Sequence, residues 1–233
     1  PIGMLSQFFN HHGLLDLVNR PQWYVVQGGS DQYVNVIRNR LQDLRLGCPV
    51  RAVTREKTRV WVTAGATVEA FDEVVFACHS GQALALLTDA SKAERDVLGA
   101  MGYSGNEVVL HQDASVMPVR PEVWASWNYH APLGATQASL TYYMNRLQGF
   151  ASTQPVLVTL NDAGTIDENL VLKRVHYEHP VFDAAMLAAQ GRHAEISGVG
   201  RTHYCGAYWR YGFHEDGVVS GLRVVDALVA NGA

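Results

Sequence analysis

The sequence predicts an α/β fold with an interleaved α+β portion, and three observations support this. The run Val74–Ala77 is apolar throughout, which is typical of a strand buried on both faces of a parallel sheet. Five strand-like segments follow one another between residues 107 and 177, and strands without intervening helices favour an antiparallel sheet. The chain then closes on a strand, a glycine loop and a helix over Thr202–Asn231. Two domains interleaved in sequence explain this order better than two domains in series.

The composition indicates an ordinary globular protein and excludes several classes of function. Hydrophobic residues make up 48% of the 233 residues, and the net charge of −4 is scattered along the chain, so no nucleic-acid partner is expected. No apolar run reaches the ~18–20 residues that span a bilayer. The three cysteines, Cys48, Cys78 and Cys205, lie far apart and form no CxxC pair. This usage predicts a reducing compartment, the cytoplasm, and offers no zinc site.

The first third of the chain alternates helices and strands. Apolar residues from 4 to 18 predict a helix interrupted at His12-Gly13 and broken by Pro21, and Trp23–Val26 predicts a short strand. Ser30 is expected to cap a helix in which apolar residues from Tyr33 to Leu44 recur every three or four positions. Strands are expected next, the first two paired as a hairpin: Val50–Thr54, Arg59–Thr63 and Glu73–Ala77.

The remaining elements follow in order. Ser80–Leu87 is expected to be helical, and Ser91 and Glu94 have capping-box spacing for a helix that ends near Met101-Gly102. A further helix is expected over Phe182–Gln190. The five strands of the antiparallel portion are expected at Glu107–His111, Val123–Tyr129, Ser139–Arg146, Val156–Leu160 and Leu170–Tyr177.

Common catalytic motifs are missing from this sequence. His176 and His179 lie three apart on a predicted strand and so point to opposite faces, and no carboxylate or thiolate cluster completes a ligand set. No metal is therefore expected, and a metal hydrolase is the least favoured alternative. Ser-His-Asp catalysis lacks its nucleophile elbow. Gly28-Gly29-Ser30 lacks the lysine of a P-loop.

The terminal loop and helix form a candidate ligand site. The loop from 206 to 213 is rich in glycine and aromatic residues, and Asp216-Gly217 is expected to open the helix. Such a helix start presents N–H groups and a positive dipole end to an electron-rich ligand. The commoner interpretation of such loops is structural, with glycines that serve only the turn before a helix that docks on a sheet. The helix has apolar residues near helical spacing: Val218, Leu222, Val225, Leu228 and Val229.

Aromatic residues of the predicted antiparallel sheet are the second candidate feature. Trp127 and Tyr129 would share one strand face, and so would Tyr142 and Met144. These side chains either line an apolar cavity over a flat cofactor or form plain core, and core is the commoner explanation.

Seven stretches, which span nearly the whole chain in order, carry a resemblance to a known family: Phe8–Leu15, Arg20–Val34, Phe71–Ala85, Asn106–Ala114, Trp124–Tyr129, Tyr177–Asp183 and Cys205–Gly221. Through them the chain resembles the C-terminal part of flavin-containing amine oxidase-like proteins. More closely it is similar to a bacterial branch of FAD-dependent oxidoreductases described as predicted NAD/FAD-binding proteins. The terminal stretch is fairly specific for this family.

The resemblance implies a partial FAD/NAD(P)-binding (Rossmann-like) domain plus an antiparallel-sheet substrate domain. Residues 1–20 and 89–185 would belong to the substrate domain, and residues 21–88 and 186–233 to the FAD-binding domain. Family members carry a GxGxxG unit at the N-terminus, and this sequence has none. The chain is therefore expected to be a C-terminal fragment with an exposed sheet edge, which a homo-oligomer would cover.

The resemblance also assigns cofactor contacts by position. Val50 would meet the adenine end of FAD through backbone atoms, Gly206 would pass the pyrophosphate, and the helix start at Gly217 would stabilise negative charge on reduced flavin. The full set of implied cofactor-binding residues is Val50, Cys78, Gly206, Ala207, Tyr208, Trp209, Phe213, His214 and Gly217. Trp127, Tyr129 and Tyr142 would form the substrate-side wall. No catalytic residue is assigned.

Two departures from the family pattern bear on the substrate. Tyr208 stands where an acidic residue often follows the glycine turn, and Asn106-Glu107-Val108 lacks the lysine that monoamine oxidases carry near flavin N5. The expected function is therefore FAD-dependent hydride transfer from either an amine or an apolar, lipid-like small molecule. The alternative is a folded, non-catalytic module that does not retain FAD.

Overall fold

The structure is a computed structural model that describes residues 2–11, 13–18, 22, 24–131, 138–230 and 232. It divides into two compact units, Pro1–Gly102 with Pro180–Ala233, and Tyr103–His179. Residues 89–102 and the described part of 1–20 cluster with the first unit, whereas the resemblance implied that they belong to the substrate domain. None of the described helices is long and apolar enough to cross a membrane.

The first unit begins with helices and a small meander. Its elements up to residue 102 are α1 (Ile2–His11), α2 (Asp31–Arg38), β1 (Val50–Arg55), β2 (Val60–Ala64), β3 (Thr67–Phe71), β4 (Val74–Phe76), α3 (Ser80–Leu86) and α4 (Lys92–Leu98). Strands β1, β2 and β3 form an antiparallel sheet in that order. The predicted β1–β2 hairpin is confirmed. Strand β3 was not predicted from the sequence, because its end residues are exposed and only its pairing with β2 defines it as a strand.

Several predictions near the N-terminus were wrong. Tyr24–Val26 lie outside any strand, and His12, Pro21 and Trp23 lie outside the described residues. The predicted interruption near Gly13 is confirmed, because helix α1 ends at His11 and Gly13 has a φ of 60° that suits a helix terminus; the helix does not resume over residues 13–18. Helix α2 is shorter than predicted, ends at Arg38 and buries no residue. Ser30 makes no side-chain cap there, because its own backbone is already helical.

The capping box of α4 is confirmed. The Ser91 hydroxyl accepts from the Glu94 N–H at 3.2 Å, and the Glu94 carboxylate accepts from the Ser91 N–H at 2.7 Å. The helix ends at Leu98, before the predicted Met101-Gly102, because Gly99 caps it. Glu94 is only 3% exposed, although a capping carboxylate does not have to be buried.

The second unit is a five-stranded sheet. Its elements are β5 (Tyr103–His111), β6 (Trp127–His130), β7 (Ser139–Tyr143), α5 (Met144–Gln148), β8 (Leu157–Leu160) and β9 (Val171–Pro180). The spatial order is β6-β7-β8-β5-β9, so the five successive strands are confirmed. Strand β6 starts later than predicted because a 3₁₀ turn occupies Pro121–Val123. Met144 begins α5, so it does not share a strand face with Tyr142.

One face of this sheet carries buried polar side chains joined in a chain of hydrogen bonds. The Asp113 N–H donates to His111 Nδ1 at 3.2 Å, and His111 Nε2 lies 2.8 Å from the Thr159 hydroxyl. The Thr159 hydroxyl lies 2.9 Å from that of Thr141. Burial lowers the pKa of His111, so the imidazole stays neutral at neutral pH. Every polar atom on this path has a partner, which favours this packing over alternatives.

The first unit ends with the strand, loop and helix singled out in the sequence. Its last elements are α6 (Ala184–Gln190), β10 (Thr202–Tyr204) and α7 (His214–Ala230). The Asp183 side chain caps α6 by accepting from the Met186 N–H at 2.8 Å. Helix α7 begins at His214, two residues before the predicted start. Strand β10 pairs in parallel with β4, so the predicted parallel sheet is confirmed.

The apolar row of α7 is not buried as a docking helix would be. Its buried residues are Asp216, Ser220 and Val224. The row found in the sequence is largely exposed, at 56% for Val218, 56% for Leu222, 52% for Val225 and 69% for Val229. Val75 of β4 is likewise 42% exposed, so β4 is not covered on both faces by described residues. Both features leave apolar side chains exposed in the described part of the chain.

Candidate functional site

The candidate cofactor site lies where the parallel strands β4 and β10 end. The Cys205 N–H donates to the Phe76 carbonyl at 2.9 Å, so the pairing continues one residue past β10. Cys78 and Cys205 follow the two strands as half-buried free thiols, and burial raises the pKa of both. Ligands of open α/β sheets bind outside the carboxyl ends of strands. Cys78 and Cys205 stand at that edge.

Gly206 makes the turn that follows this edge. Its φ of 156° with ψ of 154° suits glycine, and a Cβ here would overlap the ring of Tyr208. The Gly206 N–H donates to the Ser220 hydroxyl of α7 at 3.0 Å. The turn is therefore tied directly to the last helix.

Tyr208 and Trp209 lie inside the unit rather than on its surface. They are 5% and 4% exposed, and their ring centroids lie 5.4 Å apart. Trp209 also meets His193 edge-on at 4.5 Å. Trp209 Nε1 has no hydrogen-bond acceptor among the described residues, and a buried donor of this kind is commonly satisfied by a ligand or water. These two aromatics shape the turn from behind.

The start of α7 is open at one position. A Cβ on Gly217 would meet only the Ala207 Cβ, at 4.0 Å, so a ligand can approach the backbone closely there. Phe213 and His214 are exposed beside it, and the Phe213 ring stacks on Phe8 at 5.5 Å.

Asp216 orders the loop that leads into this helix. Its carboxylate accepts from the Tyr211 N–H at 3.2 Å and the Phe213 N–H at 3.0 Å, and Arg210 Nε lies 3.5 Å away. Glu215 adds a second carboxylate to the first turn. Because these charges disfavour an anion, the helix start fits a flat, uncharged ring better than a phosphate. The small Ala207 and Gly217 fit such a ring, and a flavin ring is therefore compatible with this edge.

Val50 stands apart from the other predicted cofactor residues. It is the first residue of β1, pairs with Ala64 of β2 and is 37% exposed. It therefore lies in the three-stranded sheet and not in the β4–β10 sheet.

The predicted substrate residues share the open face of the five-stranded sheet. Trp127 pairs with Tyr142, and Tyr129 with Leu140, across β6 and β7. Trp127 and Tyr129 are 48% and 74% exposed, and burial raises the pKa of the half-buried Tyr142. The registers place two rows on this face, Tyr129, Leu140, Leu160 and Val108, and Trp127, Tyr142, Val158 and Leu110. Exposure falls along both rows from the aromatic end, since the aliphatic members are half-buried and Val108 is buried. Sequence alternation detected the aromatic end, and the register adds the aliphatic end.

A buried charged group behind β10 was missed by the sequence analysis. The guanidinium of Arg55 forms two hydrogen bonds with the Glu94 carboxylate, and the Tyr204 hydroxyl donates to Glu94 Oε1 at 2.7 Å. Burial alone would raise the pKa of Glu94, but the hydrogen bonds from Arg55, Tyr204 and the Ser91 N–H outweigh it and lower this pKa to about 2. Tyr204 is two residues before Gly206. The group therefore anchors the strand that carries the turn.

Metal ligation finds no support in the described part of the chain. No group of three or more His, Cys, Asp or Glu side chains there could hold a metal ion. His176 lies over Gly105, whose Cβ would come within 2.8 Å of the ring, whereas His179 bonds to Asn106. Gly105 and Asn106 are neighbours on β5, so the two histidines are on opposite faces, as predicted.

Comparison with known proteins identifies the family to which this chain belongs. The family model for flavin containing amine oxidoreductase matches residues 5–229. The chain therefore belongs to the flavin-containing amine oxidoreductase family, whose members are flavin-dependent oxidoreductases. No match to a curated protein was found.

Solved structures show the same fold at low sequence identity. A putative protoporphyrinogen oxidase from Exiguobacterium sp. 255-15 is 12% identical with a TM-score of 0.61, over 97% of this chain and 57% of that one. Putrescine oxidase bound to putrescine is 15% identical with a TM-score of 0.59, over 87% and 53%. A CLA-producing fatty acid isomerase from P. acnes is 13% identical with a TM-score of 0.56, over 87% and 52%. The chain thus spans about half the length of these structures.

Proposed function

We propose that the intact protein is an FAD-dependent oxidoreductase that transfers hydride from an amine or an apolar, lipid-like substrate to flavin, and that this chain supplies its C-terminal part. The family match over residues 5–229 supports the class, and the coverage of about half of each solved structure supports the partial length. The observation that carries the proposal is the edge formed by β4, β10, Gly206 and the open start of α7 at Gly217.

The chain's own residues would bind and orient the cofactor. Gly206 and Ala207 give a turn of small residues at the strand ends, Gly217 permits close approach to α7, and Phe213 and His214 are exposed beside it. Buried Tyr208 and Trp209 hold the turn in shape. FAD, when bound, supplies the hydride-accepting chemistry. Cys78 completes the edge as a half-buried, protonated thiol.

The open sheet face of the second unit would contact the substrate. Its aromatic end offers the exposed rings of Trp127 and Tyr129 and the half-buried ring of Tyr142, and half-buried aliphatic residues extend the apolar surface. Such surfaces bind apolar small molecules with a few polar groups fixing orientation. The solved relatives include a putrescine oxidase and a fatty acid isomerase, so both substrate classes remain within this proposal.

Flavin titration of the purified chain tests the cofactor part. We expect FAD to bind and Gly217→Val to weaken binding by at least about tenfold, equivalent to about 1.4 kcal/mol, because the added side chain fills the approach to the helix. Gly221→Val is the matched control, since it lies one turn later in α7 and a Cβ there meets nothing within 4 Å. Binding is followed by FAD fluorescence and by absorbance near ~450 nm, because both signals come from the cofactor.

The same titration decides against the alternative. A colourless chain that takes up no FAD would favour the non-catalytic module for these residues. Equal weakening by Gly217→Val and Gly221→Val would show that the start of α7 does not receive the flavin.

The exposed apolar row of α7 predicts self-association of this chain alone. The double variant Leu222→Lys, Val225→Lys should make the chain more monomeric, because it places charge in the middle of the row. Sedimentation velocity over a concentration series measures the change. Val119→Lys is the control, since Val119 is fully exposed outside the row. A chain that is monomeric at every concentration, or an equal response to both changes, would contradict the prediction.

A further inference from the structure

The open face of the five-stranded sheet ends in a set of hydrogen-bonded polar side chains. Asn106 lies two residues before Val108 on β5 and so shares the face of the aliphatic rows. Asn161 Nδ2 donates to Asn106 Oδ1 at 2.9 Å, and Asn106 Nδ2 lies 2.9 Å from His179 Nδ1. Asn161 and His179 lie 55 and 73 residues from Asn106 in the sequence. The fold, not local sequence, assembles this set.

These hydrogen bonds determine which nitrogen of His179 carries its proton. Asn106 Nδ2 donates to the Ser104 carbonyl at 2.9 Å, and a carbonyl can only accept. The atom facing His179 is therefore the amide nitrogen, whose second hydrogen points to Nδ1. Because Nδ1 accepts, the ring proton lies on Nε2. Asn161 strengthens this arrangement by occupying the other end of the amide, Oδ1.

The Nε2–H group of His179 is available to a ligand. His179 is exposed, and among the residues that the structure describes none accepts a hydrogen bond from Nε2. The Tyr177 ring, two residues earlier on β9, meets the imidazole edge-on at 6.5 Å with an interplanar angle of 73°. The result is an oriented donor at the polar end of an apolar surface.

We propose that this face binds an elongated apolar molecule whose terminus carries a hydrogen-bond-accepting oxygen, a carboxylate or carbonyl, and that His179 Nε2–H donates to it. This inference rests on the proposed function for calling that molecule the substrate. An ammonium group offers only donors and meets a donor at His179, so the geometry favours an oxygen terminus over an amine. Lys173 lies on the same side of β9 by alternation, but roughly 20 Å along the strand from His179, so its charge is largely screened from a terminus bound there.

Binding of three ten-carbon probes to the full chain tests this assignment. Isothermal titration calorimetry compares decanoate, decanol and decylamine, each below its micelle concentration and without FAD. We expect decanoate to bind most tightly. His179→Phe keeps a ring beside Tyr177 but removes the donor, so it should weaken decanoate binding about tenfold and leave decylamine unchanged. Trp127→Ala should weaken all three probes, because it removes part of the shared apolar surface.

Lys173→Gln is the charge control. It should weaken decanoate less than His179→Phe does, and it should leave decanol unchanged, because it removes only a distant, screened charge and keeps the oriented donor. A larger effect of Lys173→Gln would show that charge alone selects the carboxylate and would overturn the role of His179. Decylamine binding as tight as decanoate binding would overturn it as well.

Asn106→Asp provides a second test that does not depend on affinity. A carboxylate at this position accepts from Nδ1–H, so the ring proton should move from Nε2 to Nδ1. Long-range ¹H–¹⁵N NMR on the His179 ring reads the protonated nitrogen in both proteins. A proton already on Nδ1 in the unmodified chain would overturn the proposal. Since no flavin enters these experiments, a chain that binds decanoate but not FAD would contradict the cofactor part of the proposed function for this chain while supporting this site.

Discussion

Replacing Glu94 by Gln should destabilise the first unit by about 3 kcal/mol, the lower end of the range observed when one partner of a buried ion pair is removed. The side chains of Arg55 and Glu94 are 11% and 3% exposed, so the guanidinium would lose its main buried partner. Gln still accepts from the Tyr204 hydroxyl, and Asp89 still lies 3.0 Å from Arg55 Nε. The loss of stability should therefore be smaller than for an Arg55 guanidinium with no partner at all. Urea unfolding at neutral pH measures it.

Asp96→Asn is the matched control on the same helix. Asp96 pairs with Lys92 at the surface, with side chains 42% and 86% exposed, and exposed pairs contribute about 0–1 kcal/mol. Equal losses for Glu94→Gln and Asp96→Asn would contradict the buried pair as an anchor of β10.

The Glu94 effect should also depend on pH in a defined direction. Its pKa in the folded chain is about 2, below the ordinary 4.5. The unfolded chain therefore binds more protons between these values, and the stability contributed by Glu94 is present above about pH 4.5 and lost as pH falls toward 2. The difference between the unmodified chain and Glu94→Gln should shrink over that window. A difference that stays constant would contradict the assignment.

Gly206→Ala should be the second strongly destabilising change, by about 2–4 kcal/mol for a strained backbone combined with overpacking. The φ of 156° at Gly206 disfavours a side chain, and the added methyl overlaps the buried ring of Tyr208. Relief would require moving Tyr208 against Trp209. Urea unfolding gives the stability, and near-ultraviolet circular dichroism reports the packing of the two rings.

Gly221→Ala is the control with the opposite sign. Gly221 lies inside α7, and a Cβ there meets nothing within 4 Å, so alanine should stabilise the helix by roughly 0.5–1 kcal/mol. A stable Gly206→Ala variant with unchanged ring signals would mean that the turn tolerates a side chain and that its glycine does not define the strand edge.

The capping box and the apolar row of α7 show how far sequence patterns reach. Ser91 and Glu94 were predicted as a cap, and both hydrogen bonds are present. The pairing of Glu94 with Arg55 and Tyr204 was not predicted, because these residues lie 39 and 110 positions away. Periodicity likewise predicted the helix that contains Leu222, but it does not say what covers that face, and the structure leaves Leu222 56% exposed.

The sequence by itself determined the family, the order of the elements, the successive strands of the second unit and the glycine turn before the last helix. These features depend on local propensities, side-chain period and motifs, which neighbouring residues carry. Tertiary structure alone decided that Tyr129, Leu140, Leu160 and Val108 form one row, that Tyr208 and Trp209 are buried, and that Asn106 orients His179. Strand register and contacts between distant residues decide such features, because a shift of one residue moves every side chain to the opposite face.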